Sequence, residues 1–156
     1  MIPNKFWTRI KNVQRIHQRL YDSGKGWMIG WLILLLRHTG RSSGKRYATP
    51  VQYEKIGDAY FVGAARGQQA DWFRNIQAHP QVEVSVGRKT FKALAEPVTD
   101  PERVADFLAY RLKRHPLMIG LMMKLHHLPL CPNQEQLLEL GKNTALVILH
   151  PLEEMV

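Results

Sequence analysis

Apolar residues recur at helical spacing over residues 2–21, where Ile2, Phe6, Ile10, Val13, Ile16 and Leu20 share one face. Lys5, Lys11, Arg15 and Arg19 fall mostly on the opposite side, so the stretch predicts an amphipathic helix, broken by DSGKG at 22–26. The pattern then changes. WMIGWLILLLR (27–37) is an apolar run between turn signals and predicts a buried strand. RYATPVQYEKI (46–56) alternates up to Gly57-Asp58, a hairpin turn that leads into AYFVGAA (59–65). QVEVSV (81–86) alternates strictly, GRK turns, and TFKALAEPV (90–98) alternates back. QQADWFRNIQAH (68–79) predicts a helix with Trp72, Ile76 and His79 on one side, stopped by Pro80. TDPERVADFLAYRLKR (99–114) is a helix with Thr99 or Asp100 as N-cap and Pro101 in its first turn. PLMIGLMMKLHHL (116–128) and NQEQLLEL (133–140) predict two more helices, and NTALVILH (143–150) a last strand.

Several hairpins and few crossover helices imply a mainly antiparallel sheet or small barrel decorated with helices, an α+β fold. The 156 residues suit one domain with a real core, and no repeat or low-complexity segment interrupts it. The expected organisation is a basic amphipathic helical arm over 1–26 and a barrel domain over 27–156.

Charge sharpens the picture. The formal net charge is +9, and residues 1–50 hold ten Lys/Arg against one acid, Asp22, whereas 51–156 hold twelve of each. A basic first third attracts phosphates, whether on a cofactor, a membrane or a nucleic acid. Trp7 and the basic face let residues 1–22 lie on an anionic membrane, though packing on the barrel or a partner is the alternative. The start has cations throughout and no continuous apolar core, so no signal peptide is expected. The ten-residue run 27–36 is too short to span a bilayer. With one cysteine, no internal disulfide forms, and the expected location is the cytoplasm or the inner face of its membrane.

The stretch RHTGRSSGKRYATPV (37–51) packs small residues among cations and looks built to hold an anion. It is no nucleotide P-loop: Gly40 to Gly44 is one residue short, Arg46 stands where the magnesium-binding hydroxyl belongs, and a strand follows instead of a helix. No G-x-G-x-x-G follows a strand, so a Rossmann site is unsupported. His115, His126, His127 and Cys131 lie near each other in sequence but lack metal-ligand spacing, so no metal is expected. Cys131 reads as a packing residue. A nucleic-acid-binding module is the distant alternative, permitted by the pI near 9.9 but opposed by the absence of any recognition motif.

Three linked motifs then appear in order. They are Thr39-Gly40-Arg41-Ser42-Ser43-Gly44 with Pro50-Val51; Ala64 to Gly67; and Trp72, Asn75, Ile76, Ala78, Pro80 and Val82. Over residues 32–105 and the last strand, the chain resembles the deazaflavin-dependent nitroreductase family, whose members reduce substrates with coenzyme F-420. The resemblance implies a split β-barrel of the flavin-reductase or pyridoxamine-phosphate-oxidase-like type, commonly paired as a homodimer. It implies that Arg41, Ser42, Ser43, Gly44, Lys45 and Arg46 bind the cofactor's polyanionic tail, with Pro50, Val51, Ala65, Arg66, Trp72 and Asn75 around the rest of it. Two positions depart from the pattern: Tyr47 replaces a usual cation, and Ser42 replaces a frequent lysine. FMN therefore stays the alternative cofactor, on a flavin reductase or a flavin- or lipid-binding protein of the same barrel. The implied reaction is hydride transfer to an apolar acceptor such as a quinone, a nitro compound or an unsaturated lipid. Met118 and Met122, on the nearly all-apolar stretch 116–128, are candidate substrate contacts, since methionine adapts to irregular apolar shapes. The resemblance assigns no catalytic acid.

Overall fold

The computed structural model describes residues 33–152. The predicted arm, and the start of the apolar run at 27–32, lie outside the described residues. Seven strands are present: β1 (Ile33–Thr39), β2 (Arg46–Gln52), β3 (Glu54–Ile56), β4 (Ala59–Ala64), β5 (Gln81–Val86), β6 (Lys89–Val98) and β7 (Ala145–Pro151). Four α-helices accompany them among the described residues: α1 (Asp71–Ala78), α2 (Pro101–Arg114), α3 (Pro116–Leu125) and α4 (Gln134–Gly141). Every pairing is antiparallel, in the order β2-β1-β5-β6-β7-β4-β3.

That order forces the sheet to curl. β2 and β3 are its two edges, yet only Tyr53 separates them in the chain. Six flat strand spacings would put the edges about 29 Å apart, whereas two residue steps reach only about 7 Å. The single strand predicted over 46–56 is therefore two. The chain turns a corner at Tyr53, so that β2 pairs with β1 and β3 with β4. Pro50 has no N–H to donate, and an edge strand is where that is tolerated.

Two apolar layers follow. Alternate residues of the strands fill the barrel, with Leu34, Leu36, Val62, Val84 and Val147 joined by Phe73 and Ile76 of α1. The opposite face of β7, through Leu146 and Ile148, packs under α2, α3 and α4. β7 is thus covered on both sides, which is why its sequence is a continuous apolar run. Both two-residue hairpin turns begin with a glycine at positive φ, Gly57 at 61° and Gly87 at 59°, as primed turns demand. Asp100 caps α2, its side chain accepting the Glu102 N–H at 3.3 Å. The face of α1 is rotated from the predicted one. Phe73 and Ile76 enter the core, Trp72 is half-buried and His79 is exposed, because α1 turns its Phe73–Ile76 side toward the strands' apolar side chains.

Candidate functional site

The anion-suited turn is the hairpin loop between β1 and β2. It is closed by Gly40 N–H donating to Lys45 O at 2.7 Å and Gly44 N–H donating to Gly40 O at 3.0 Å, with Gly44 at φ 69°. A Cβ on Gly40 would sit 2.6 Å from Ser43 Oγ and 2.9 Å from Tyr47 Cε2, so a larger residue there would push both side chains aside.

The loop is aimed by α1. Asn75, buried, accepts the Arg41 backbone N–H at 3.1 Å and an Arg41 Nη1 hydrogen at 2.8 Å on Oδ1. Asp71 accepts from Arg41 Nη2 at 3.2 Å. The amide's other end, Nδ2, donates to His38 Nδ1 at 3.2 Å. An amide NH₂ only donates, so His38 Nδ1 is the acceptor and its proton sits on Nε2, which reaches Thr49 Oγ1 at 3.0 Å. Burial pushes the His38 pKa down to about 4. The result is a neutral imidazole locked beneath Tyr47, whose ring stacks on it at 5.9 Å.

These residues border a cavity of about 980 Å³ that runs from the loop to α2 and α3. Of the twelve residues predicted around the cofactor, Arg41, Ser42, Ser43, Pro50, Val51, Ala65, Arg66, Trp72 and Asn75 line it. Gly44, Lys45 and Arg46 are not on its wall. Arg46 reaches instead toward Glu83, at 4.0 Å, which Arg37 also approaches at 3.3 Å. Met122 lines the cavity; Met118 packs into the layer beneath the helices.

Sequence reasoning passed over Thr49, Gln52, Phe107 and Arg111, and weighed His38 only as a charge of the basic turn and His126 only as a metal ligand; all six line the same wall. Only Arg111 carried a legible signal: it continues the apolar spacing of Val104, Phe107 and Leu108 on α2, a cation on a core-facing stripe. Burial also lowers the His126 pKa. Among the described residues, no three of His, Cys, Asp and Glu gather so as to hold a metal. Cys131, read as a packing residue, is exposed, because the stretch between α3 and α4 runs over the surface.

Gly67 fixes the turn that carries Arg66. Its φ is 59°, and a Cβ there would lie 2.8 Å from Asn143 O. Gly67→Ala is expected to lower stability by about 2 kcal/mol through left-handed strain alone. A urea titration reads that loss, and an unchanged midpoint would mean that the turn relaxes freely.

The site has two ends. Arg41, with the Ser42 and Ser43 hydroxyls, makes the loop end cationic and rich in donors; Phe107, Leu108, Met122 and Leu125 make the end beneath α2 and α3 mainly apolar, with Arg111 among them, and Arg66 also lines the cavity. β2 runs between them and rises about 17 Å from Tyr47 to Gln52 at ~3.3 Å per residue. This shape fits a planar ring joined to a long anionic tail.

Comparison with known proteins gives a consistent picture. The family model described as F420H(2)-dependent quinone reductase matches residues 7–116. The F420H(2)-dependent quinone reductase of Mycobacterium tuberculosis strain H37Rv is 35% identical over 99 residues, covering 56% of this chain and 66% of the relative, just under two thirds of its length. A solved F420-H2 dependent reductase superposes with a TM-score of 0.52 at 20% identity, over 76% of this chain and 93% of that one. A Listeria innocua protein described as a pyridoxamine 5′-phosphate oxidase superposes with a TM-score of 0.54 at 11% identity, over 86% and 94%. The fold is therefore the split β-barrel these proteins share.

Proposed function

Because the chain belongs to the F420H(2)-dependent quinone reductase family, we propose that it is an oxidoreductase transferring a hydride from reduced coenzyme F-420 to a quinone. The observation that carries this reading is the two-ended cavity, cationic at the Arg41 loop and mainly apolar at α2 and α3, with Arg66 also on its wall. When bound, reduced F-420 supplies the hydride and its electron pair.

The chain's residues supply position and shelter. Arg41 meets the anionic tail with a guanidinium already oriented by Asn75 and Asp71. Its pair with Asp71 is exposed and worth little, so a phosphate displaces it readily. Ser42 and Ser43 add hydroxyl donors, and Arg66 adds a second cation on the cavity wall. Pro50, Val51, Ala65 and Trp72 border the path of the ring, and Phe107, Leu108 and Met122 keep water from the acceptor's side. Gly44, Lys45 and Arg46 act on the tail only through the loop's shape and long-range charge. His38, neutral, holds Asn75 and hence Arg41 rather than acting as an acid.

The test is a pair of titrations, F-420 and FMN, at low and high salt, followed by fluorescence of F-420 as the reduced cofactor is oxidised by a naphthoquinone. Tight F-420 binding that weakens with salt, with turnover on the quinone, is the expected result. Preference for FMN would overturn the cofactor assignment and make Tyr47 and Ser42 marks of a flavin site.

Two copies are proposed to pair. Leu117 and Leu121 are 74% and 53% exposed on α3, apolar surface that a second chain would cover. Sedimentation of Leu117→Glu against wild type reads this directly, and a wild-type monomer would refute it. No helix among the described residues is long and apolar enough to cross a membrane. Contact of residues 1–22 with an anionic membrane is proposed from their sequence alone. Equal vesicle binding by a variant lacking them would exclude it.

A further inference from the structure

α2 lays Val104, Phe107, Leu108 and Arg111 along one face, so a guanidinium ends an apolar stripe. Arg111 is only 5% exposed, yet it lines the cavity. Its Nε donates to Glu54 Oε1 at 3.5 Å and its Nη2 to Gln52 Oε1 at 3.2 Å. These two bonds engage Nε and Nη2, and no fully buried side-chain polar atom among the described residues is left without a partner. Glu54 is shared further: His115 Nε2 lies 2.8 Å from Oε1, and Arg114 Nε lies 3.5 Å from Oε2. Two arginines thus divide one buried carboxylate.

A buried cation kept only for structure makes short, paired bonds to its counter-ion, since its desolvation is otherwise costly. Arg111 makes one long bond to its counter-ion, through Nε, and Nη1 takes part in neither of its two bonds while the residue lines the cavity. Burial pulls its pKa down, opposed by Glu54, but a guanidinium keeps its charge. Met122 and Leu125 offer no hydrogen bond, and of the polar side chains that line this end of the cavity with them, Gln52, His126 and Arg111, Arg111 alone carries a fixed charge, Gln52 already giving its Oε1 to it.

We propose that Arg111 positions the acceptor by donating a hydrogen bond to a quinone carbonyl oxygen at the apolar end of the cavity. The proposal rests on the quinone-reductase reading above. Reduced F-420, when bound, would supply the hydride and be left oxidised. With the hydride joined to one quinone oxygen, the ring's π electrons shift so that the C=O pair of the opposite carbonyl, the one held by Arg111, becomes a lone pair on its oxygen. A proton from water completes the hydroquinone. A fixed cation at that oxygen stabilises the charge as it forms. This explains how the reaction proceeds with no acid assigned at the wall.

The experiment compares wild type, Arg111→Gln and Arg111→Lys with two hydride acceptors, a naphthoquinone and an oxygen-free tetrazolium dye, and measures F-420 affinity separately. For Arg111→Gln, kcat/KM for the quinone is expected to fall about 30-fold, the effect of losing one bond from a charged donor. Arg111→Lys should recover part of that loss. Tetrazolium reduction and the F-420 dissociation constant should stay within about twofold, the scale of an indirect effect. Equal losses on both acceptors would reduce Arg111 to a structural residue and overturn the proposal. A weakened F-420 affinity would overturn it too, by moving the contact to the cofactor ring. If Arg111→Gln fails to fold, Arg111→Lys alone decides: it must separate the two acceptors. A wild type that binds F-420 but reduces only the dye would sink the quinone-reductase reading itself, and the proposal with it.

Discussion

Arg41→Ala weakens F-420 binding about 100-fold at low salt, since hydrogen bonds to a charged group contribute roughly 1.5–3 kcal/mol and tenfold corresponds to ~1.4 kcal/mol. The effect is large because this arginine is oriented before the ligand arrives. Asn75 holds Nη1 at 2.8 Å and Asp71 holds Nη2 at 3.2 Å, so binding loses little side-chain freedom. The fold should survive, because the Arg41 backbone N–H still donates to Asn75 Oδ1. Calorimetric titration at two salt concentrations is the measurement, and the salt dependence should shrink with the affinity. Asp71→Asn supplies the opposite sign: with the competing carboxylate gone, the tail should bind more tightly. A change below about threefold on Arg41→Ala, under 1 kcal/mol, would take the tail away from this loop.

Acid destabilises the protein through His38. Its pKa is about 4 in the folded chain against 6.5 ordinarily, because burial disfavours the imidazolium. The unfolded chain therefore binds the proton first as pH falls. The contribution of the neutral ring is fully present above pH 6.5, declines below it, and is gone below about 4. At 1.36 kcal/mol per pKa unit, the loss across that window is about 3 kcal/mol. Urea titrations at several pH values, wild type against His38→Gln, isolate it: the variant should lose stability less steeply between pH 6.5 and 4. Parallel slopes would mean that His38 titrates normally and that the Asn75–His38–Thr49 chain is looser than its distances indicate.

Most elements were legible because their signals are local. Alternation marked β5 and β6, glycine marked both tight hairpins, and Asp100 with Pro101 marked the start of α2. The errors came where distant partners decide. The stretch 46–56 alternates throughout, and it divides only because its two halves pair with strands on opposite edges of a curled sheet. α1 buries Phe73 rather than His79 because the strand side chains it packs against set its rotation. In the basic loop, motif and charge drew attention to all six residues from Arg41 to Arg46. Strand direction then gave Arg46 to Glu83 on another face.

The sequence alone determined the class of fold, the order of its elements, the basic loop and the family resemblance. Each rests on periodicity or on residues close together in the chain. The tertiary structure alone decided which side chains meet: His38 with Asn75 across 37 residues, and Arg111 with Glu54 across 57. The physical reason is that a residue type states what bond a side chain can make, whereas burial and the position of a partner decide which bond it makes. A histidine becomes a neutral strut, and an arginine on an apolar stripe becomes a donor aimed into a cavity, only once the barrel has curled around them.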